Sequence, residues 1–157
     1  MSPRNSLRHG ALTLSLPEGW QDTSQVIALG PEDGGFRPSV VVSVEPVKPS
    51  ETAQQLAARM LSSIQQHAQS LTLLSERQVT HGDKVGVQRE YILTLQGARI
   101  AQLQFCTVKE GMGLTFTFSQ REDRFRATRA VGEAVFAQAR VGGALEATPP
   151  RLGFIRA

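Results

Sequence analysis

From residue 85 to residue 119 the chain reads VGVQREYILTLQGARIAQLQFCTVKEGMGLTFTFS, with apolar and polar positions alternating at a period of two. Successive side chains of a strand point to opposite faces, so this pattern predicts three consecutive antiparallel strands. Gln96-Gly97 and Lys109-Glu110-Gly111 supply turn residues between them. One face is expected to carry Val85, Val87, Tyr91, Leu93 and Leu95 with Arg89, continued by Ala101, Leu103 and Phe105 and by Met112, Leu114, Phe116 and Phe118. The other face is expected to carry Glu90, Ile92, Thr94, Gln102, Gln104, Cys106, Thr115 and Thr117.

Ahead of this unit the pattern predicts short strands at 11–16, 26–29 and 39–44, the last rich in valine. Gly30-Pro31-Glu32-Asp33-Gly34-Gly35 reads as a loop between the second and third. Apolar residues then recur at Leu56, Ala57, Met60, Leu61, Ile64 and Ala68, the stripe of an amphipathic helix over 53–68, with Ser50 as a candidate N-cap. A strand over 73–80 and a turn at His81-Gly82-Asp83-Lys84 return the chain to the central unit. A second helix is predicted over 122–139, with Ala127, Ala130, Val131, Ala134 and Val135 inward. Neighbouring strands joined by short turns, plus two helices, define an α+β layered fold with a largely antiparallel sheet. The organisation expected is a flexible N-terminus over 1–9, one domain over 10–141 and an irregular tail over 142–157.

Length and composition narrow the class. A chain of 157 residues fits one domain, and 40% hydrophobic with 20% charged residues is a globular balance. The net charge of +3 comes with no dense basic run, so nucleic-acid binding is not expected. Cys106, the single cysteine, cannot form an intramolecular disulfide, which points to a reducing compartment. The opening MSPRNSLRHG lacks the apolar stretch of a signal peptide, and no run approaches the ~18 apolar residues of a membrane span. A cytoplasmic protein with no direct membrane insertion is expected.

Candidate chemistry is sparse. The glycines of 30–35 lead toward a strand, not a helix N-terminus, and lie among acids, unlike a phosphate cradle. His9, His67 and His81 have no second ligand at helical or hairpin spacing, so no metal is expected. Cys106 has no base nearby in sequence to activate it. Trp20 reads as a core plug after a turn, and Arg121, Arg124, Arg126 and Arg129 as a solvated helix face. Neither an enzyme nor a cofactor is expected.

The segment LTLSLPEGWQD, residues 12–22, resembles the opening of the DcrB-related (DUF1795) family: an apolar strand, then Leu-Pro, a small residue, Trp and often Gln-Asp. Leu16, Pro17, Gly19, Trp20, Gln21 and Asp22 carry the likeness. The helix at 53–68, the turn at Gly82 before a strand with Tyr91, the Gln102-x-Gln104 strand and residues 114–119 extend it over about 11–141. The resemblance implies a Mog1/PsbP-like α/β/α sandwich. It further implies the Eag branch, non-enzymatic chaperones of type VI secretion that bind apolar N-terminal helices of an effector on a concave sheet surface and aid its loading onto a secretion spike component, generally as homodimers. The alternative is a Mog1/PsbP-like interaction module that binds a soluble protein partner. Where the family offers alternating apolar residues after Trp-Gln-Asp, this chain has Gln25 and Ile27, and the Arg-Asp pair common after the third strand is Val44-Glu45.

Pattern and resemblance meet on the polar face. A sheet surface left to water usually carries Lys, Glu and Arg, whereas this one is almost uncharged apart from Glu90. The residues expected to contact a partner are Gln25, Ile27, Val41, Ile92, Gln102, Gln104, Thr115 and Thr117. Such a surface can cover apolar helices while Gln and Thr hydrogen-bond polar groups that are costly to bury.

Overall fold

The computed structural model describes residues 6–141. A six-stranded antiparallel sheet is sandwiched between two helices. Its strands are β3 (Gln25–Leu29), β4 (Ser39–Pro46), β5 (Leu71–His81), β6 (Lys84–Leu95), β7 (Ala98–Lys109) and β8 (Met112–Arg121), in the order β3-β4-β8-β7-β6-β5. Helix α1 (Ala53–His67) lies on one face and α2 (Glu122–Gln138) on the other. A separate hairpin pairs β1 (Ser6–His9) with β2 (Leu12–Ser15). The start of the chain was expected to be flexible up to residue 9; from Ser6 it is a paired strand. The expected irregular tail over 142–157 lies outside the described residues.

The long meander from β6 to β8 follows from its turns. Gln96-Gly97 and Glu110-Gly111 all have positive φ, the conformation of two-residue hairpin loops whose twist matches that of the flanking strands. Such a loop joins residues of opposite parity: Ile92 pairs with Ala101 and Tyr91 with Gln102. The assignment of β6 to the two faces is thereby corrected. Val87, Tyr91 and Leu93 share the α1 face with Gln102, Gln104 and Cys106, while Ile92 stands beside Ala101 and Leu103 on the α2 face. Apolar residues therefore lie on both sides of the sheet, as two helical layers require.

Helix α1 is started by a capping box. Thr52 Oγ1 accepts from the Gln55 N–H at 3.1 Å, and Gln55 Oε1 accepts from the Thr52 N–H at 2.9 Å. Thr52, not Ser50, is thus the N-cap. Leu56 and Ala57 pack on Val87 and Cys106, and further along Ile64 and Ala68 pack on Tyr91, Leu93 and Ile100.

Helix α2 turns a different stripe inward than the one expected. Phe125, Gly132 and Phe136 are buried, whereas Val131 and Val135 are 60% and 40% exposed. Between the two phenylalanines Arg129 is drawn in by ion pairs with Glu133 and, on the sheet, Glu90. Burial of Phe136 alone contributes about 2–3 kcal/mol to holding this helix. At its C-terminus the fully buried Lys84 Nζ donates to the carbonyls of Ala137 and Ala139, at 3.4 and 2.7 Å, satisfying groups that the helix leaves open.

Candidate binding surface

Helix α1 covers the β6–β7 half of its face, and neither helix packs broadly on β3 or β4. The other half of that face, formed by β8, β4 and β3, is therefore a shallow trough open on the β3 side. Register places Gln25 beside Ser43, Ile27 beside Val41, and Val41 beside Thr117, which stands beside Gln104. Ile27 is 60% exposed, Gln25 is exposed, and Val41, Ser43 and Thr117 are half-buried. No Lys, Arg, Asp or Glu is among these five; Glu45, two positions beyond Ser43 on the same face, is paired with Arg59 of α1.

The remaining predicted contact residues behave differently. Gln104 and Thr115 are buried, and the half-buried Gln102 donates from Nε2 to Ser119 Oγ at 2.8 Å. Ile92 packs with the α2-side core, so it cannot line this trough. The structure thus brings seven of the eight onto one face and separates Ile92. Thr13 and Ser15, the polar positions of the strand expected over 11–16, sit on the separate hairpin.

Beneath the trough's inner wall lies a polar cluster that alternation alone did not reveal. The Arg89 guanidinium is buried against Gln104, donating from Nη1 to Oε1 at 2.6 Å, and donates from Nη2 to Glu76 Oε2 at 2.7 Å. Among the described residues Arg89 Nε and the Tyr91 hydroxyl have no protein partner. Burial raises the Tyr91 phenol well above its ordinary value, and it pushes the Cys106 thiol up to about 11 against a lowering hydrogen bond from Thr115. Cys106 is accordingly a protonated packing residue at neutral pH, not a thiolate nucleophile.

Elsewhere, His81 is half-buried, bonded to Gln88 at 2.6 Å and packed edge-on to Phe105 at 4.8 Å. Three of the four arginines of 121–129 are tied down: Arg121 to Asp123, Arg124 to Asp33 and Arg129 to Glu133. Trp20 is 65% exposed rather than a core plug: it lies in the irregular segment between the separate β1–β2 hairpin and β3, and Leu12 and Leu14 of that hairpin are exposed as well. Among the described residues no three His, Cys, Asp or Glu converge, and no helix is long and apolar enough to cross a membrane.

This arrangement defines a class of protein: an antiparallel sheet between two helices, with one face half covered. The DcrB family profile matches residues 12–137, so the chain belongs to the DcrB family. A Pseudomonas aeruginosa protein of unknown function, PA94, is similar in fold at a TM-score of 0.70 and 16% identity, covering 88% of this chain and 97% of its own. Cyanobacterial PsbP from Synechocystis sp. PCC 6803 superposes with a TM-score of 0.51 and 17% identity over 80% of this chain and 83% of its own. LpqN of Mycobacterium tuberculosis, involved in cell envelope biogenesis, reaches 0.50 and 12% identity over 77% and 85%. At these identities the likeness is one of fold, and the fold is PsbP-like. No curated protein matches the chain.

Proposed function

We propose that this chain is a non-enzymatic chaperone or adaptor that shields apolar N-terminal helices of a type VI secretion effector and aids its loading. The observation that carries the reading is the half of the α1 face that no helix covers among the described residues, where Ile27 is 60% exposed beside half-buried Val41 and Thr117 and the nearest β4 charge, Glu45, is paired with Arg59 of α1. An apolar helix laid there buries Ile27 and Val41 while Gln25, Ser43 and Thr117 remain able to hydrogen-bond its polar groups. The DcrB family membership supports the same reading through the Leu16 to Asp22 motif. Its partners are an effector with apolar helices, a secretion spike component and a second copy of the chain, working in the cytoplasm.

The test is co-expression with effector N-termini encoded by neighbouring genes. Co-purification of a membrane-spanning segment, lost on Ile27→Asp, is the expected result. Failure to retain any such segment sinks the proposal. Capture of a soluble domain that is insensitive to Ile27→Asp would point instead to the Mog1/PsbP-like module binding a soluble partner.

A further inference from the structure

The two edges of the sheet are built in opposite ways. The β5 edge carries Glu76, Arg77 and His81 and a register shift between Leu73 and Ser75, devices that discourage another strand from pairing. The β3 edge, Gln-Val-Ile-Ala-Leu, has no charge, no proline and no bulge, and all five residues are exposed. Among the described residues no strand pairs with its outer side. A row of backbone N–H and C=O groups is thus presented on an apolar strand with nothing to repel a partner.

A groove of about 440 Å³ adjoins the same strand on the α2 side of the sheet. Ala28, Leu29, Val40, Val131 and Val135 line it, so the valines that α2 turns away from the core form its wall. Glu32 and Asp33 also line it; Asp33 is held by Arg124, whereas Glu32 is exposed with no ion pair among the described residues. The groove therefore combines apolar walls with acidic charge at the end where β3 runs into its loop.

We propose that the β3 edge and this groove bind an extended peptide segment that adds a strand to the sheet, placing apolar side chains against Val131 and Val135 and a lysine or arginine near Glu32. Strand addition takes affinity from main-chain hydrogen bonds and specificity from the pockets that receive alternate side chains. The inference rests on the binding reading above for the nature of the partner: basic residues commonly flank membrane-spanning segments, so one client can supply an apolar helix to the trough and a basic, extended flank to this edge.

The test titrates isotope-labelled protein with a blocked peptide, acetyl-Lys-Lys-Val-Thr-Val-Thr-Val-amide, against a counterpart with glutamates in place of the lysines. Expected are saturable NMR shifts over residues 25–29 and at Val131 and Val135, slowed exchange of the outward β3 amides, and weaker binding of the acidic peptide. Val26→Lys, at a position 62% exposed, should preserve the fold and weaken binding about tenfold or more. Glu32→Lys should remove the preference for the basic peptide. No saturable shift, shifts confined to the α1 face, or self-association through β3 that the peptide cannot compete would each overturn the proposal. Peptide binding without capture of any membrane-spanning segment would sink the chaperone reading and leave this site standing. Capture unaffected by Val26→Lys and Val131→Asp, with no peptide binding, would do the reverse.

Discussion

Arg89 and Gln104 face each other across the β6–β7 pair, and a 2.6 Å hydrogen bond from Nη1 to Oε1 joins them in the sheet's buried polar cluster. Gln104→Leu keeps the volume of the side chain but leaves a second guanidinium nitrogen, Nη1, unpartnered beside Nε. Removing one partner of a buried, charged hydrogen bond costs about 2 kcal/mol, whereas replacing both by apolar groups of similar shape is often close to neutral. Gln104→Leu should therefore lower the unfolding free energy measured by urea denaturation by that amount, and Arg89→Met in the same protein should restore most of it, since half-exposed Glu76 can take water instead. Additive losses in the double variant would show that the pair is not coupled.

Gly132 lets α2 lie close against Phe118 of the sheet. A Cβ there would sit 2.6 Å from Phe118 Cγ, a contact that forces the ring or the helix to move. Helix propensity alone favours alanine by ~1 kcal/mol, and overpacking costs ~1–3 kcal/mol. Gly132→Ala should therefore lower stability despite improving the helix, while Phe118→Leu should make the same substitution tolerable. Thermal melts of the two single variants and the double variant check it.

The α+β class and most elements could be read from the sequence because the hydrophobic period is strong between 85 and 119 and in α1. Two losses have physical causes. The face of Ile92 depended on whether the Gln96-Gly97 loop was counted as two residues, since that parity sends the whole of β6 to one side or the other. The inner stripe of α2 was disguised because an arginine and a glycine stand between Phe125 and Phe136, whereas the alanine and valine stripe that resembles a core faces outward. Exposed Val131 and Val135 at helical spacing beside a valine-rich strand were the available signal for the groove, but nothing local says that a helix presents its apolar side to solvent. Of the trough, Val41 and Thr117 could be placed by alternation within β4 and β8, whereas Gln25 and Ile27 came from the family resemblance, the pattern predicting a strand only from residue 26.

Cys106 should be inert in the folded protein. It is fully buried, with its thiol pushed up to about 11, so a disulfide reagent at pH 8 should modify it only on unfolding. The folded protein also holds this proton more tightly than the unfolded chain, whose thiol titrates near 9.0. The stability tied to it is fully present below about pH 9 and is lost as pH rises toward 11. Tyr91 acts with the same sign, its phenol being raised by burial. Cys106→Ala and Tyr91→Phe should each flatten the alkaline limb of a stability–pH curve, and a limb unchanged in both would refute the assignment. Tyr91→Phe should cost little, since the hydroxyl it removes has no protein partner among the described residues.

Ile27 and Gln104 lie on the same face, with Val41 and Thr117 between them, yet substitution should separate binding from folding in opposite ways. Ile27 is 60% exposed on an edge strand, so Ile27→Asp should change stability by no more than ~0.5 kcal/mol while placing an unpaired carboxylate where an apolar helix would lie. Client retention should fall at least tenfold, because burying that charge is far more costly than the contact it replaces. Gln104 is 3% exposed and holds Arg89, so Gln104→Lys, which sets a second cation against the buried guanidinium, should disturb the fold itself, and any loss of binding there would not report on the surface. Retention assays run beside circular dichroism melts distinguish the two. Ile27→Asp protein that melts like wild type and still retains a membrane-spanning segment would remove the trough as the binding surface.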